Sequence, residues 1–165
     1  MALLTEEGIY LRKKVGQVSS LRSICTEDVD SHCGIGHTRW ATHGGVTDAN
    51  AHPHVVGRVL LLHNGIIENY HAISVQFGFE GLATSETDTE VAAQLINYYY
   101  DKTNDPYQAI RNAIRIIDGS YAFCIMFDDR PGTIYAVRNV SPMVATTASQ
   151  GAFIASDVTA LIPYS

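Results

Sequence analysis

Four short strand-like segments in the last third of the chain constrain its fold more than any other feature. They span residues 121–127, 133–138, 143–146 and 151–155, with turn sequences such as Asp128-Asp129-Arg130-Pro131-Gly132 between them. Upstream, an apolar run at residues 58–63 predicts a buried strand, and strand-like stretches cover residues 8–16 and 33–38. Strands, then two helices, then consecutive strands are the order of an α+β fold with mainly antiparallel sheets.

The middle of the sequence carries the helical patterns. Thr87-Asp88-Thr89-Glu90 fits a capping box, because a hydroxyl at the cap is followed by a carboxylate three residues on. Asp105-Pro106 begins a second helix, expected to end at Asp118-Gly119, with proline at its favoured first position. Residues 66–77 are also expected to be helical, ended by Gly78, and Ser156-Asp157 caps a last helix.

The composition indicates one globular domain covering residues 1–165. Hydrophobic residues make up 46% of the chain and charged residues 17%, which favours a packed core over disorder. The net charge of −6 argues against nucleic-acid or membrane partners, since both need a basic face. Three cysteines (Cys25, Cys33 and Cys124) without a disulfide spacing favour reduced thiols, and we therefore expect a cytoplasmic protein.

All seven histidines lie between His32 and His71, together with the only tryptophan, Trp40. This clustering suggests a metal site as one alternative. The usual zinc spacings are missing, however, and the proline between His52 and His54 restricts how their imidazoles converge. The sequence therefore predicts neither a metal nor a cofactor.

A site for a small amino-acid amide fits the residue types better. The guanidinium of Arg39, after a strand-like run, can grip a carboxylate in bidentate fashion. Asp88, at the start of a helix, can hold an ammonium group, although capping is its simpler role. Asn64 and Gly65 supply a side-chain amide and a backbone N–H, the two donors that an oxyanion hole needs.

Four strings in this segment carry a family resemblance: His37-Thr-Arg-Trp-Ala-Thr-His-Gly44, Asn50-Ala-His-Pro-His54, His63-Asn-Gly-Ile-Ile-Glu-Asn69 and Ser85-Glu-Thr-Asp-Thr-Glu90. They resemble the glutaminase domain of glutamine–fructose-6-phosphate aminotransferase, a class II glutamine amidotransferase. The resemblance implies a four-layer αββα sandwich of the N-terminal-nucleophile hydrolase type, with L-glutamine as substrate. The purine-pathway phosphoribosyl amidotransferase ranks second, because it is expected to differ around Trp40 and at residues 51–54.

The resemblance also implies a role for each matching residue. Arg39 would bind the glutamine α-carboxylate and Asp88 the α-ammonium, while Asn64 and Gly65 would form the oxyanion hole. Three further residues would line the pocket: Trp40, Thr42 and His43. Three further histidines of this segment, His52, His54 and His63, are expected to be structural.

In this family the nucleophile is an N-terminal cysteine, whereas this chain begins Met1-Ala2-Leu3. We therefore expect a chain that lacks the first strand of the fold and is inactive alone. Cys33 is an alternative nucleophile, but no free amine accompanies it. The resemblance further implies a phosphosugar isomerase domain in the full-length enzyme, and an unpaired sheet edge would favour a homo-oligomer. A non-catalytic amino-acid-binding module stays open as a second function.

Overall fold

The structure is a computed structural model that describes residues 1–40 and 43–164. Its strands are β1 (Ala2–Thr5), β2 (Gly8–Leu11), β3 (Cys33–Ile35), β4 (His54–Val56), β5 (Val59–Ile67), β6 (Gly119–Phe127), β7 (Tyr135–Asn139), β8 (Val144–Ala148) and β9 (Gly151–Ala155). Its α-helices are α1 (Val18–Ser23), α2 (Tyr70–Phe77), α3 (Asp88–Thr103) and α4 (Pro106–Ile114), followed by two 3-10 helices, Val158–Ala160 and Ile162–Tyr164. No helix in the described part of the chain is long and apolar enough to span a membrane.

A four-stranded antiparallel sheet in the order β4-β5-β6-β7 forms the centre of the fold. Strands β5 and β6 pair along nine residues, from Val59 opposite Phe127 to Ile67 opposite Gly119. Because side chains alternate between the two faces of a strand, this pair contributes to two cores. Leu61 and Phe123 belong to the core on the helical side, and Leu60 belongs to the core on the other side.

Helices α2, α3 and α4 cover one face of this sheet. Helix α3 buries an apolar stripe that includes Leu95 and Ile96, as its periodicity predicts. The predicted cap is confirmed, because the Thr87 side chain accepts a hydrogen bond from the backbone N–H of Glu90. The Glu90 carboxylate differs from the capping-box expectation. It accepts from Thr84 and Ser85 instead, and so fixes the loop before the helix.

A second layer of strands covers the other face. It contains a three-stranded sheet in the order β2-β1-β3 and the β8–β9 hairpin. Leu4 and Ile35 from the three-stranded sheet pack with Leu60 and Met126 from the central sheet. In the described part of the chain, β3 pairs only with β1 and β9 only with β8, so each leaves one edge open.

Two facing antiparallel sheets with helices outside them confirm the predicted α+β class and its sandwich arrangement. Helix α1 is the one α-helix outside the α2–α4 layer in residues 1–40 and 43–164, and none of its residues is buried. Cys25 follows this helix by two residues, and its Sγ lies 4.0 Å from the Sδ of Met1, near the start of β1.

Several predicted boundaries need correction. Residues 66 and 67 extend β5 instead of beginning a helix, because they continue the ladder opposite Ser120 and Gly119. Helix α2 therefore starts at Tyr70, and α4 ends at Ile114 instead of reaching residue 118. The last predicted helix is a 3-10 turn, capped by Asp157 as expected. Strands β1 and β4 were not predicted.

Candidate functional site

A cavity of about 870 Å³ lies between the two layers of strands. Residues from the ends of β3 and β5, the start of α3 and strand β9 line it. All the described residues that the sequence predicts for the site line this one cavity: Arg39, Trp40, His43, Asn64, Gly65 and Asp88. The remaining predicted residue, Thr42, lies outside the described residues. The fold thus brings together groups that are up to about fifty positions apart in sequence.

Asp88 is a firmly held polar group in the cavity. It is 3% exposed and is the first residue of α3, where the helix dipole favours a negative charge. Its Oδ2 accepts from the backbone N–H of Ile67 at 2.8 Å and lies 3.9 Å from Nδ1 of His43. Its Oδ1 accepts a longer bond, 3.4 Å, from the Thr89 hydroxyl. One carboxylate oxygen is therefore anchored by backbone, while the other keeps capacity for a cation.

Arg39 holds the loop beside the cavity. Its guanidinium donates to the carbonyl of Gly45 at 3.0 Å and to the carbonyls of His43 and Gly44. These contacts use Nη1 and Nη2, whereas a guanidinium carries five N–H donors. These bonds leave the Nε–H and one N–H of Nη1 available. Arg39 can therefore order the loop and still bind an anion in the cavity.

Asn64 and Gly65 lie next to each other on β5, opposite Ala122 and Tyr121 of β6. Gly65 has a φ of +131°, and a Cβ at this position would lie 1.9 Å from the carbonyl oxygen of Ser120. Only glycine fits there, because both the backbone angle and the space exclude a side chain. Asn64 Oδ1 lies 2.6 Å from Nε2 of His37, which reaches it from the other layer of strands.

Trp40 and His43 stand at the mouth of the cavity. The Trp40 side chain is 90% exposed, so it lines the rim and does not form a buried wall. His43 is partly exposed, and its ring packs edge-on against Tyr70 at a centroid distance of 5.4 Å. Both are accessible from solvent at the opening.

Three other histidines are buried in a hydrogen-bonded network, and two of them, His52 and His63, also line the cavity. The Thr89 hydroxyl contacts Nε2 of His52 at 3.2 Å and Nδ1 of His63 at 3.1 Å, and the Thr87 hydroxyl contacts Nε2 of His54 at 3.0 Å. Burial lowers the pKa of His52 to about 2 and that of His54 to about 4. These two rings are therefore neutral near pH 7. No group of three or more potential metal ligands occurs in residues 1–40 and 43–164.

The buried thiols are poor nucleophiles in this structure. Cys33 is 8% exposed, its Sγ lies 3.4 Å from the Sδ of Met126, and burial raises its pKa. Cys124 lines the cavity, but burial raises its pKa to about 11. Because the thiolate is the reactive form, both sulfurs are held in the unreactive state.

Two functional contacts were missed by the sequence reasoning. His37 was considered only as part of a motif and as a possible metal ligand, although it bonds to Asn64 across the layers. Thr89 was considered only as part of the capping box, although it joins two histidines under Asp88. For His37 a signal was present, since it follows β3 at the same strand end as Arg39.

Facing antiparallel sheets, with a cavity between them and helices outside, form an α+β sandwich. Two solved structures share this fold. Glutamine phosphoribosylpyrophosphate amidotransferase from B. subtilis, complexed with ADP and GMP, aligns with a TM-score of 0.79 and 23% identity, covering 98% of this chain and 36% of that one. A structure described as the allosteric regulatory enzyme of purine biosynthesis aligns equally well, at 0.79 and 24% identity, with the same coverage.

Sequence comparison then gives the family. The profile described as "Glutamine amidotransferase domain" matches residues 37–163, so this chain belongs to the glutamine amidotransferase domain family. Among its relatives are proteins named glutamine–fructose-6-phosphate aminotransferase [isomerizing]. The one from Fusobacterium nucleatum is 44% identical over 99% of this chain, and the one from Bacillus subtilis is 36% identical over 98%. The chain spans about a quarter of the length of these relatives, 27% in both cases.

Proposed function

We propose that this chain is the glutamine-binding part of an aminotransferase that uses glutamine as its nitrogen source. The observation that carries the proposal is the position of Asp88, a buried and backbone-anchored carboxylate in the same cavity as Arg39. A fixed anion and a cation facing one cavity match the two charged α-groups of a free amino acid. The names of the relatives support fructose 6-phosphate as the acceptor in the full-length protein, and we propose glucosamine 6-phosphate as the product.

Each site residue then has a defined role in binding glutamine. Arg39 binds the α-carboxylate of glutamine and Asp88 binds the α-ammonium. The side-chain amide of Asn64 and the backbone N–H of Gly65 donate to the side-chain carbonyl oxygen, where negative charge develops when the amide is attacked. Trp40 and His43 line the opening, Thr42 is proposed to contact glutamine as well, and this chemistry requires no cofactor or metal.

The 165-residue chain is proposed to bind glutamine without hydrolysing it. Hydrolysis through a thioester needs a thiolate, and the raised pKa values of Cys33 and Cys124 oppose its formation. This feature also favours the second candidate function, an amino-acid-binding module without catalysis. The two candidates differ in what the full-length gene product does. Ammonia release by that product would support the amidotransferase, and binding without release would support the module.

Calorimetry with the 165-residue chain tests the binding. We expect saturable glutamine binding that weakens at least tenfold in both Arg39→Ala and Asp88→Asn. Asp101→Asn is the matched control, because Asp101 is an exposed acid on the same helix outside the cavity, and its affinity should stay within twofold of the wild type. An absence of binding, or equal losses in all three variants, would contradict the proposal. Glutamine turnover that disappears in Arg39→Ala would contradict the inactivity.

The finer partner assignments rest on the same reasoning. We propose that residues 1–165 are one partial domain of a cytoplasmic enzyme that also carries a phosphosugar isomerase domain and binds neither nucleic acid nor membrane. The open edges of β3 and β9 support pairing with a second copy of the chain, because unpaired strand edges recruit other strands. Sedimentation at high concentration should detect a homo-oligomer, and a monomer throughout would contradict this assignment.

A further inference from the structure

His37 makes a contact that spans the two layers of strands. It lies two residues after β3, which ends at Ile35, while Asn64 is on the central strand β5. The His37 Nε2 to Asn64 Oδ1 distance is 2.6 Å, a short hydrogen bond. The His37 ring also packs against the His52 ring at a centroid distance of 4.6 Å. The imidazole is therefore fixed by packing on one side and by the amide on the other.

The orientation of the Asn64 amide depends on which nitrogen of His37 carries the proton. If Nε2 carries it, Asn64 Oδ1 accepts the bond and the NH₂ group is directed away from His37. If Nδ1 carried it, a buried N–H would have no partner among residues 1–40 and 43–164, where Nδ1 of His37 makes no hydrogen bond. Orphaned buried N–H groups are rare because they are costly, so the Nε2–H form is the favoured one. Burial also lowers the pKa of His37, which keeps the ring neutral.

The direction of the amide decides what Asn64 offers to a ligand. Asn64 and Gly65 both line the cavity. With Oδ1 engaged by His37, Asn64 offers N–H donors. With the amide turned over, it would offer a carbonyl oxygen, which repels the carbonyl oxygen of a ligand. A side-chain amide can rotate to either position unless a neighbour selects one.

We infer that His37 is a positioning residue that holds the Asn64 amide with its NH₂ group available to a ligand carbonyl. This inference rests on the proposed function only for the identity of that carbonyl, the side-chain amide of glutamine. In this role His37 acts on the ligand through Asn64. Its removal should therefore affect recognition of the side-chain amide and leave recognition of the α-groups unchanged.

Two ligands and two variants separate this role from a general structural one. Norvaline has the α-groups and an unbranched side chain but no amide. In His37→Leu, which cannot donate, we expect glutamine affinity to fall about tenfold and norvaline affinity to change less than twofold. In His37→Gln, whose amide N–H can replace the Nε2–H, glutamine affinity should stay within about threefold of the wild type. Equal losses for both ligands, or no loss for glutamine, would overturn the inference.

A ligand-independent measurement separates failure of this inference from failure of the proposed function. In ¹⁵N-labelled protein, the Asn64 side-chain NH₂ pair is assigned by its loss in Asn64→Asp. We expect this pair to shift and to exchange faster with water in His37→Leu but not in His37→Gln. If the wild type binds no glutamine, the proposed function fails, and this spectrum still decides the role of His37. An unchanged NH₂ pair in His37→Leu would overturn it. Should His37→Leu fail to fold, His37→Asn replaces it, because its shorter side chain cannot reach Asn64.

Discussion

The backbone N–H of Ile67 donates to Oδ2 of Asp88 at 2.8 Å, and this bond joins the end of strand β5 to the first residue of helix α3. Both residues are buried. The same carboxylate that is proposed to bind the ligand therefore also satisfies a backbone donor of the central sheet. Function and stability are combined in one side chain, and two substitutions can separate them.

Asp88→Ala should destabilise the fold by about 1–3 kcal/mol, because it leaves the buried Ile67 N–H without an acceptor. Asp88→Asn should cost less than Asp88→Ala, since the amide oxygen can still accept that bond. Urea denaturation of the two variants gives the comparison directly. Equal losses in both would show that the Ile67 bond contributes little.

The part of this arrangement that follows from sequence is the start of α3. Thr87 and Glu90 have the spacing of a cap, and the apolar periodicity after them fixes the buried face. The bond from Ile67 could not be predicted. Residues 66 and 67 read as helical by local pattern, and only pairing with β6 makes them a strand. Tertiary pairing overrides local preference for such short apolar segments.

The sequence predicts residues for the candidate site but not the hydrogen bonds that hold them. Arg39, Asn64 and Asp88 were predicted from residue type, position next to an element and family resemblance. Their bonds to loop carbonyls, to His37 and to Ile67 depend on which layers face each other, and no local spacing encodes this. Strand β4 was not predicted, because only three of its residues pair with β5 and so short a segment gives no clear pattern.

Thr87→Ala should destabilise the protein by about 2–3 kcal/mol. The substitution removes the helix cap, worth about 1 kcal/mol, and the hydrogen-bond partner of buried His54. Thr87→Ser keeps the hydroxyl and should lose less than half as much. Thr133→Ala, at an exposed position, is the matched control and should stay within about 0.5 kcal/mol of the wild type. Similar values for the alanine and serine variants would contradict a role for the hydroxyl.

Gly65→Ala should destabilise the fold by at least about 3 kcal/mol, because its Cβ would lie 1.9 Å from the Ser120 carbonyl oxygen at a φ that side chains rarely adopt. Gly81→Ala provides the control. Gly81 also has a positive φ, +79°, but no atom lies within 4 Å of an added Cβ. Gly81→Ala should lower the free energy of unfolding only through backbone strain, by about 1–2 kcal/mol. Thermal or urea unfolding measures both, and equal losses would contradict the steric argument.

Stability should fall as the pH is lowered from 6.5 towards 5. Burial lowers the pKa of His54 from 6.5 to about 4 and that of His52 to about 2. The unfolded chain therefore binds protons in this range that the folded chain does not. The stabilisation is complete above pH 6.5 and is lost on acidification, by up to about 1.4 kcal/mol per pH unit for each histidine.

The variant His54→Gln isolates one part of this pH dependence, because glutamine does not titrate. The slope of unfolding free energy against pH between 5 and 6.5 should decrease by up to about 1.4 kcal/mol per pH unit. Thr133→Ala, an exposed substitution that changes no titratable group, is the control and should leave the slope unchanged. A slope that is the same in wild type and His54→Gln would show that His54 is not held neutral by the fold.

The central claim is that the cavity between the two layers of strands binds glutamine in one orientation. A crystal structure of the 165-residue chain grown with glutamine tests it most directly. We expect the α-ammonium at Asp88, the α-carboxylate at Arg39 and the side-chain carbonyl oxygen within about 3 Å of the Asn64 amide nitrogen. Glutamine bound in the reverse direction, or an empty cavity at saturating glutamine, would contradict it.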